Sequence, residues 1–187
     1  MSAANSATPP SSPGPRAGAG GSGWGKPLQE RWFEDFIPGA VYEFGHAEVT
    51  ASEIIDFARR FDPQPMHVDP EAAARGPFDG LIASGWHTAG LMMRLFVDNF
   101  LPGHASLASP GIDELRWTRP VRPGDILRLR VSVVEATRSR SKPDRGMIRT
   151  LIEVLNQSGD VVMTLKPMNL LRCRPPLPSA SPSAADG

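Results

Sequence analysis

The sequence predicts an α+β fold in which an antiparallel sheet wraps around one long central helix. Three observations carry this expectation. One stretch, residues 78–100, is apolar nearly all round from about Ser84 onward, as a helix covered on every side would be. The second half of the chain repeats apolar and polar residues with period two, in segments separated by turn residues. A further alternating segment precedes the helices, so strand, helices and then several long strands follow one another in a single unit.

The elements follow in order. "AVYEFGHAEV" alternates well enough for a strand. It runs into Thr50-Ala51-Ser52-Glu53, a capping box in which the Thr50 hydroxyl takes the Glu53 amide and Glu53 reaches back. Ile54, Ile55, Phe57, Ala58 and Phe61 then form the apolar face of a helix of roughly three turns. Asp69-Pro70-Glu71 starts a second helix, with Asp69 as N-cap and proline at the first helical position, and "EAAAR" is closed by Gly76-Pro77. After the central helix, "IDELRWTRPVRPGD" supplies a strand from Ile112 and a turn at Pro123-Gly124-Asp125. In "ILRLRVSVVEATRS", Leu127, Leu129, Val131 and Val133 share one face, and Arg128, Arg130 and Ser132 the other. "GMIRTLIEVLNQSGDVVMTLKPMNLLR" is two more strands joined by a turn at Asn156 to Asp160.

Both ends have a different composition. Residues 1–27 and 175–187 are Ser, Pro, Gly and Ala with little to bury, which predicts disordered tails around one folded domain over 28–174. Composition also limits function. The 187 residues are 40% hydrophobic and 21% charged, ordinary for a soluble domain. Lysine plus arginine equals aspartate plus glutamate at 20 each, so no net field points to nucleic acid or an anionic membrane. The single cysteine, Cys173, excludes an intrachain disulfide and reads as an inert thiol in a reducing compartment. No apolar run reaches the ~20 residues that span a bilayer, and no secretory signal is visible. The expected location is the cytoplasm.

The stretch "FDPQPMHVDP", residues 61–70, concentrates the chemistry. Asp62 and Gln64 each precede a proline and are pushed toward extended backbone, so the connection is stiff. His67 stands two residues before the Asp69 cap. A histidine and a carboxylate held rigidly make an acid/base pair, since an imidazole gives and takes protons near neutrality. Taken alone, the same residues describe a proline-rich interhelical turn with an exposed histidine. The second feature is Ala83-Ser84-Gly85-Trp86, where the central helix starts. Unpaired amides and the positive dipole end gather there, and an uncovered Gly85 N–H would stabilise negative charge developing on a substrate oxygen. Taken alone, Ser84 caps a helix and Gly85 makes room for packing. His87, within the helix, reads as a packing or hydrogen-bonded residue rather than a catalytic one. No compact zinc-type spacing, G-x-S-x-G elbow or phosphate-binding loop occurs.

In combination, these segments resemble the MaoC-like dehydratases, the (R)-specific enoyl-CoA hydratase or hydratase 2 family of hotdog fold. The family signature G-D-x-N-P-[LIV]-H stands here as Phe61-Asp62-Pro63-Gln64-Pro65-Met66-His67. "FDGLIASGWHT" is similar to the family's lead into the central helix, and "IDELRWTRPVRPGD" to its L-x-x-[LV]-R-F-x-x-P-V-x-x-G-D segment. The resemblance spans nearly all of residues 32–172. Within that signature it departs at Phe61, where the family has glycine, and at Gln64, where it has asparagine.

The resemblance implies reversible addition of water across the 2,3 double bond of an enoyl thioester. Asp62 and His67 would be catalytic, and Gly85, Ser84 and Gln64 would form the oxyanion and substrate-binding set. It implies no metal or redox cofactor, with the coenzyme A thioester as substrate. It also implies a homodimer or dimer of dimers, with coenzyme A across the interface and Arg119 and Arg122 as candidate phosphate contacts. Two other functions remain open on the same fold: a non-catalytic acyl-thioester-binding protein, suggested by the two departures, and a thioesterase.

Overall fold

The computed structural model describes residues 25–176, so the expected tails lie outside the described residues except at their inner edges. Five strands, β1 (Val41–Glu48), β2 (Ser106–Trp117), β3 (Ile126–Arg138), β4 (Arg145–Leu155) and β5 (Val161–Arg172), form one antiparallel sheet in the order β1-β3-β4-β5-β2. Four helices, α1 (Ala51–Phe61), α2 (Pro65–Val68), α3 (Pro70–Ala74) and α4 (Gly85–Asn99), lie between β1 and β2 in sequence.

The sheet curls around α4, whose inner side contributes Met92, Leu95 and Phe96 to a core shared with β1, β3, β4 and β5. The strand face predicted from Leu127, Leu129, Val131 and Val133 is the buried one. Phe100, just past the end of α4, is the hub of this core. Its ring centroid lies 5.3 Å from Phe36, 4.9 Å from Phe96, 5.9 Å from Tyr42 and 6.1 Å from Phe44. Close approach of helix and sheet requires Gly45 in β1. There φ is +93°, at a bulge, and an added Cβ would lie 3.1 Å from the Leu95 side chain.

The capping box at Thr50 and Glu53 forms as expected, and Asp69 caps α3 by accepting the amides of Glu71 and Ala72. Three features differ from the expectation. A turn of helix, α2, lies inside the proline-rich stretch, with Pro65 at its first position. β2 starts at Ser106 rather than Ile112, because pairing with β5 extends a segment that has no alternation of its own. Pro110 is tolerated within it because β2 is an edge strand, where an absent N–H leaves no gap in the ladder. Finally, α4 is not covered all round: Trp86, Met93 and Val97 point outward, with Trp86 61% exposed.

Candidate active site

The geometry begins at the C-terminus of α1. Asp62 caps that helix, its N–H bonded to Ala58 O at 2.8 Å, and the two following prolines carry the chain directly into α2. His67 therefore faces inward from α2 and is only 6% exposed, unlike the histidine of a bare turn. The segment before α4 is tied on both sides, Ile82 N to Met66 O at 3.2 Å and Ala83 N to Val121 O at 2.8 Å. These ties place Ser84, the fully buried N-cap of α4, against Asp62.

Asp62 is held at both oxygens. The Ser84 hydroxyl donates to Oδ2 at 2.7 Å, and Gln64 Nε2 donates to Oδ1 at 2.7 Å. These bonds, that of Ser84 first, hold the carboxyl below the usual carboxylate range, so it stands ready as an anion. His67 Nδ1 lies 2.8 Å from the Ile82 carbonyl oxygen, which can only accept. Nδ1 therefore carries a hydrogen, and Nε2 is the nitrogen left for chemistry. Nε2 lies 3.5 Å from Asp62 Oδ2, a separation at which one oxygen atom from substrate or solvent would be shared between the two groups.

Asp62, His67 and Gly85 line one cavity of about 430 Å³, with Met66, Ile82 and Val121 supplying apolar wall. This lies within the size range of small-molecule sites. The Gly85 N–H opens α4, and no acceptor among the described residues takes it. An added Cβ at Gly85 would lie 2.5 Å from the Trp117 indole, so only glycine fits beneath that ring. Gln64 and Ser84 stand behind Asp62 and do not line the cavity. Of the two departures from the signature, Gln64 thus touches the carboxylate, whereas Phe61 is 62% exposed and lies under the Arg60 guanidinium. Arg119 lines the cavity and pairs with Asp160 at 3.5 Å, while Arg122 donates to the Phe78 carbonyl at 2.5 Å. Sequence reasoning assigned no role to Trp117, which walls the cavity. Its visible signal was a tryptophan where the family pattern carries phenylalanine.

His87 stays outside the cavity. It is buried against Phe57, ring centroids 5.0 Å apart, and its Nδ1 has no partner among the described residues. Burial pushes its pKa below the ordinary histidine value, only partly opposed by Glu53. The unfolded chain therefore takes up this proton first as pH falls below ~6.5, and stability drops from there until the folded value is passed. Urea melts between pH 7.5 and 5 check this: His87→Phe, which keeps the stack on Phe57, flattens the decline. An unchanged slope would rule His87 out as its source.

Comparison with known proteins identifies the family. Residues 35–154 match the MaoC like domain. The uncharacterized protein YdeM of Bacillus subtilis is 32% identical over 124 residues, 66% of this chain and 86% of that protein. A 3-hydroxybutyryl-CoA dehydratase of Methylorubrum extorquens is 34% identical over 116 residues, 62% of this chain and 71% of that one. The crystal structure of a MaoC-like dehydratase from Rhodospirillum rubrum superposes with a TM-score of 0.72 at 40% identity, covering 78% of this chain and 99% of that chain. A Mycobacterium tuberculosis protein with a double hotdog fold shares the fold alone, at 16% identity and a TM-score of 0.68 over 86% of this chain and 50% of its own. The sheet curled around α4 is thus a hotdog, and the chain belongs to the MaoC-like dehydratase family.

Proposed function

We propose that this protein is an enoyl-CoA hydratase, or 3-hydroxyacyl-CoA dehydratase in reverse. The observation that carries the reading is the convergence of Asp62, His67 Nε2 and the untaken Gly85 amide on one cavity. In hydration, a water held between Asp62 and His67 loses a proton to the pair as its oxygen bonds to C3. The double-bond electrons move onto the thioester oxygen, where the Gly85 N–H and the positive end of α4 stabilise the enolate. The enolate collapses as the proton returns to C2. The thioester itself acidifies C2, so the step calls for no metal or redox cofactor. The test follows enoyl absorbance with crotonyl-CoA and longer or branched enoyl-CoAs. Hydration supports the reading. Release of free thiol with the double bond intact would make the protein a thioesterase, and binding without turnover a carrier.

A second copy of the chain is the natural cover for the outer face of α4, where Trp86, Met93 and Val97 form one exposed stripe and Trp86 lies against Trp117 of the edge strand β2. The expected species is a homodimer, alone or in a dimer of dimers. Sedimentation equilibrium gives at least twice the chain mass for wild type and one chain mass for the Met93→Asp, Val97→Asp double variant. A monomeric wild type would refute the assignment. Among the described residues no helix is long and apolar enough to cross a membrane, and the free, buried Cys173 suits a reducing cytoplasm.

A further inference from the structure

We infer that Trp117 is a positioning residue that sets the Asp62 carboxylate through the peptide between Gly85 and Trp86. The inference rests on the hydration reading above. Its basis is a chain of hydrogen bonds running from the β2 edge into the site. The indole Nε1–H of Trp117 donates to Gly85 O at 2.8 Å. That carbonyl belongs to the same peptide as the Trp86 N–H, which donates to Ser84 Oγ at 3.2 Å. The Ser84 hydroxyl has one hydrogen, and it is directed at Asp62 Oδ2, 2.7 Å away. Oδ2 is in turn the oxygen facing His67 Nε2.

The peptide plane is thereby gripped at its oxygen and at its nitrogen. Rotating it to release the indole would also turn the Trp86 N–H away from Ser84. Ser84 would then be free to choose another acceptor, and Asp62 would lose the bond that orients Oδ2. No proton travels this route, because the amide passes on position and polarisation only. The arrangement depends on two residue types together. Gly85 lets the indole lie where a Cβ would otherwise be, and tryptophan, unlike phenylalanine, brings a donor to that spot. Trp117 is braced for the task by an edge-on contact with Trp86, ring centroids 5.3 Å apart.

The test is a double-mutant cycle on the full chain with enoyl-CoA as substrate. Trp117→Phe keeps the aromatic wall and removes the donor. It lowers kcat by about three- to tenfold, the worth of one hydrogen bond, and leaves KM near the wild-type value. In a Ser84→Ala background the same change has little further effect, because the link is already cut. Additive losses, or a raised KM with kcat unchanged, would show Trp117 to be only a wall and would overturn the inference. A readout independent of turnover separates this from failure of the hydration reading. In 15N-labelled protein the Trp117 indole resonance, assigned by its loss in Trp117→Phe, exchanges slowly with solvent and shifts on Ser84→Ala. A freely exchanging indole indifferent to Ser84 would overturn the inference whatever the protein catalyses.

Discussion

Replacing Asp62 with asparagine, or His67 with alanine, lowers kcat for enoyl-CoA hydration by about a hundred- to ten-thousandfold, the usual range for removing a positioned acid or base. Asparagine has nearly the same shape as aspartate but brings two faults. It cannot accept the water proton, and its amide places a donor where Ser84 and Gln64 already point donors at Asp62. His67→Ala removes Nε2, the one ring nitrogen not committed to the Ile82 carbonyl. Both variants keep the core of β-strands and α4 and should fold. Asp62→Asn should melt close to wild type, whereas His67→Ala, which removes a buried ring and leaves the Ile82 carbonyl unpaired, should melt lower. Either variant turning over at the wild-type rate would place the chemistry elsewhere.

Phe100→Ala is the substitution expected to cost most stability. Its ring contacts Phe36, Tyr42, Phe44 and Phe96, and none of its surface reaches solvent. Truncation removes the buried ring and leaves a cavity among side chains from β1, α4 and the N-terminal segment, which cannot all move to fill it. A loss of roughly 3–5 kcal/mol follows from comparable core truncations, equivalent to a fall in Tm on the order of 10 °C for a domain of this size. Phe100→Leu, which refills most of the volume, should cost well under half as much. Calorimetry distinguishes the two, and equal losses would mean that backbone geometry at the end of α4 matters more than the ring.

How much of this was legible beforehand depended on the range of the forces involved. The capping box at Thr50 and Glu53, the Asp69 cap with Pro70 behind it, and the alternating face of β3 are local arrangements written within a few residues. Each appears where the sequence places it. The N-terminal half of β2 was not legible, because Ser106 to Gly111 has no periodicity and becomes a strand only through its partner β5. The single turn of α2 was hidden for a related reason: two prolines announce stiffness, but not that Pro65 would initiate a helix that turns His67 inward.

The site divides along the same line. The sequence alone picked out the candidate side chains, because Asp62 and His67 stand in a proline-stiffened stretch similar to the family signature and Ser84-Gly85 open a helix that periodicity reveals. Tertiary structure decided how they meet. Asp62 and Ser84 lie 22 positions apart, so the chain must fold back before that hydroxyl can reach the carboxylate, and Trp117 lies 32 positions from the Gly85 carbonyl it holds. Such contacts depend on the sheet curling over α4 to bring distant backbone within 3 Å. That geometry comes from burying the whole core at once, and no short window of residues encodes it.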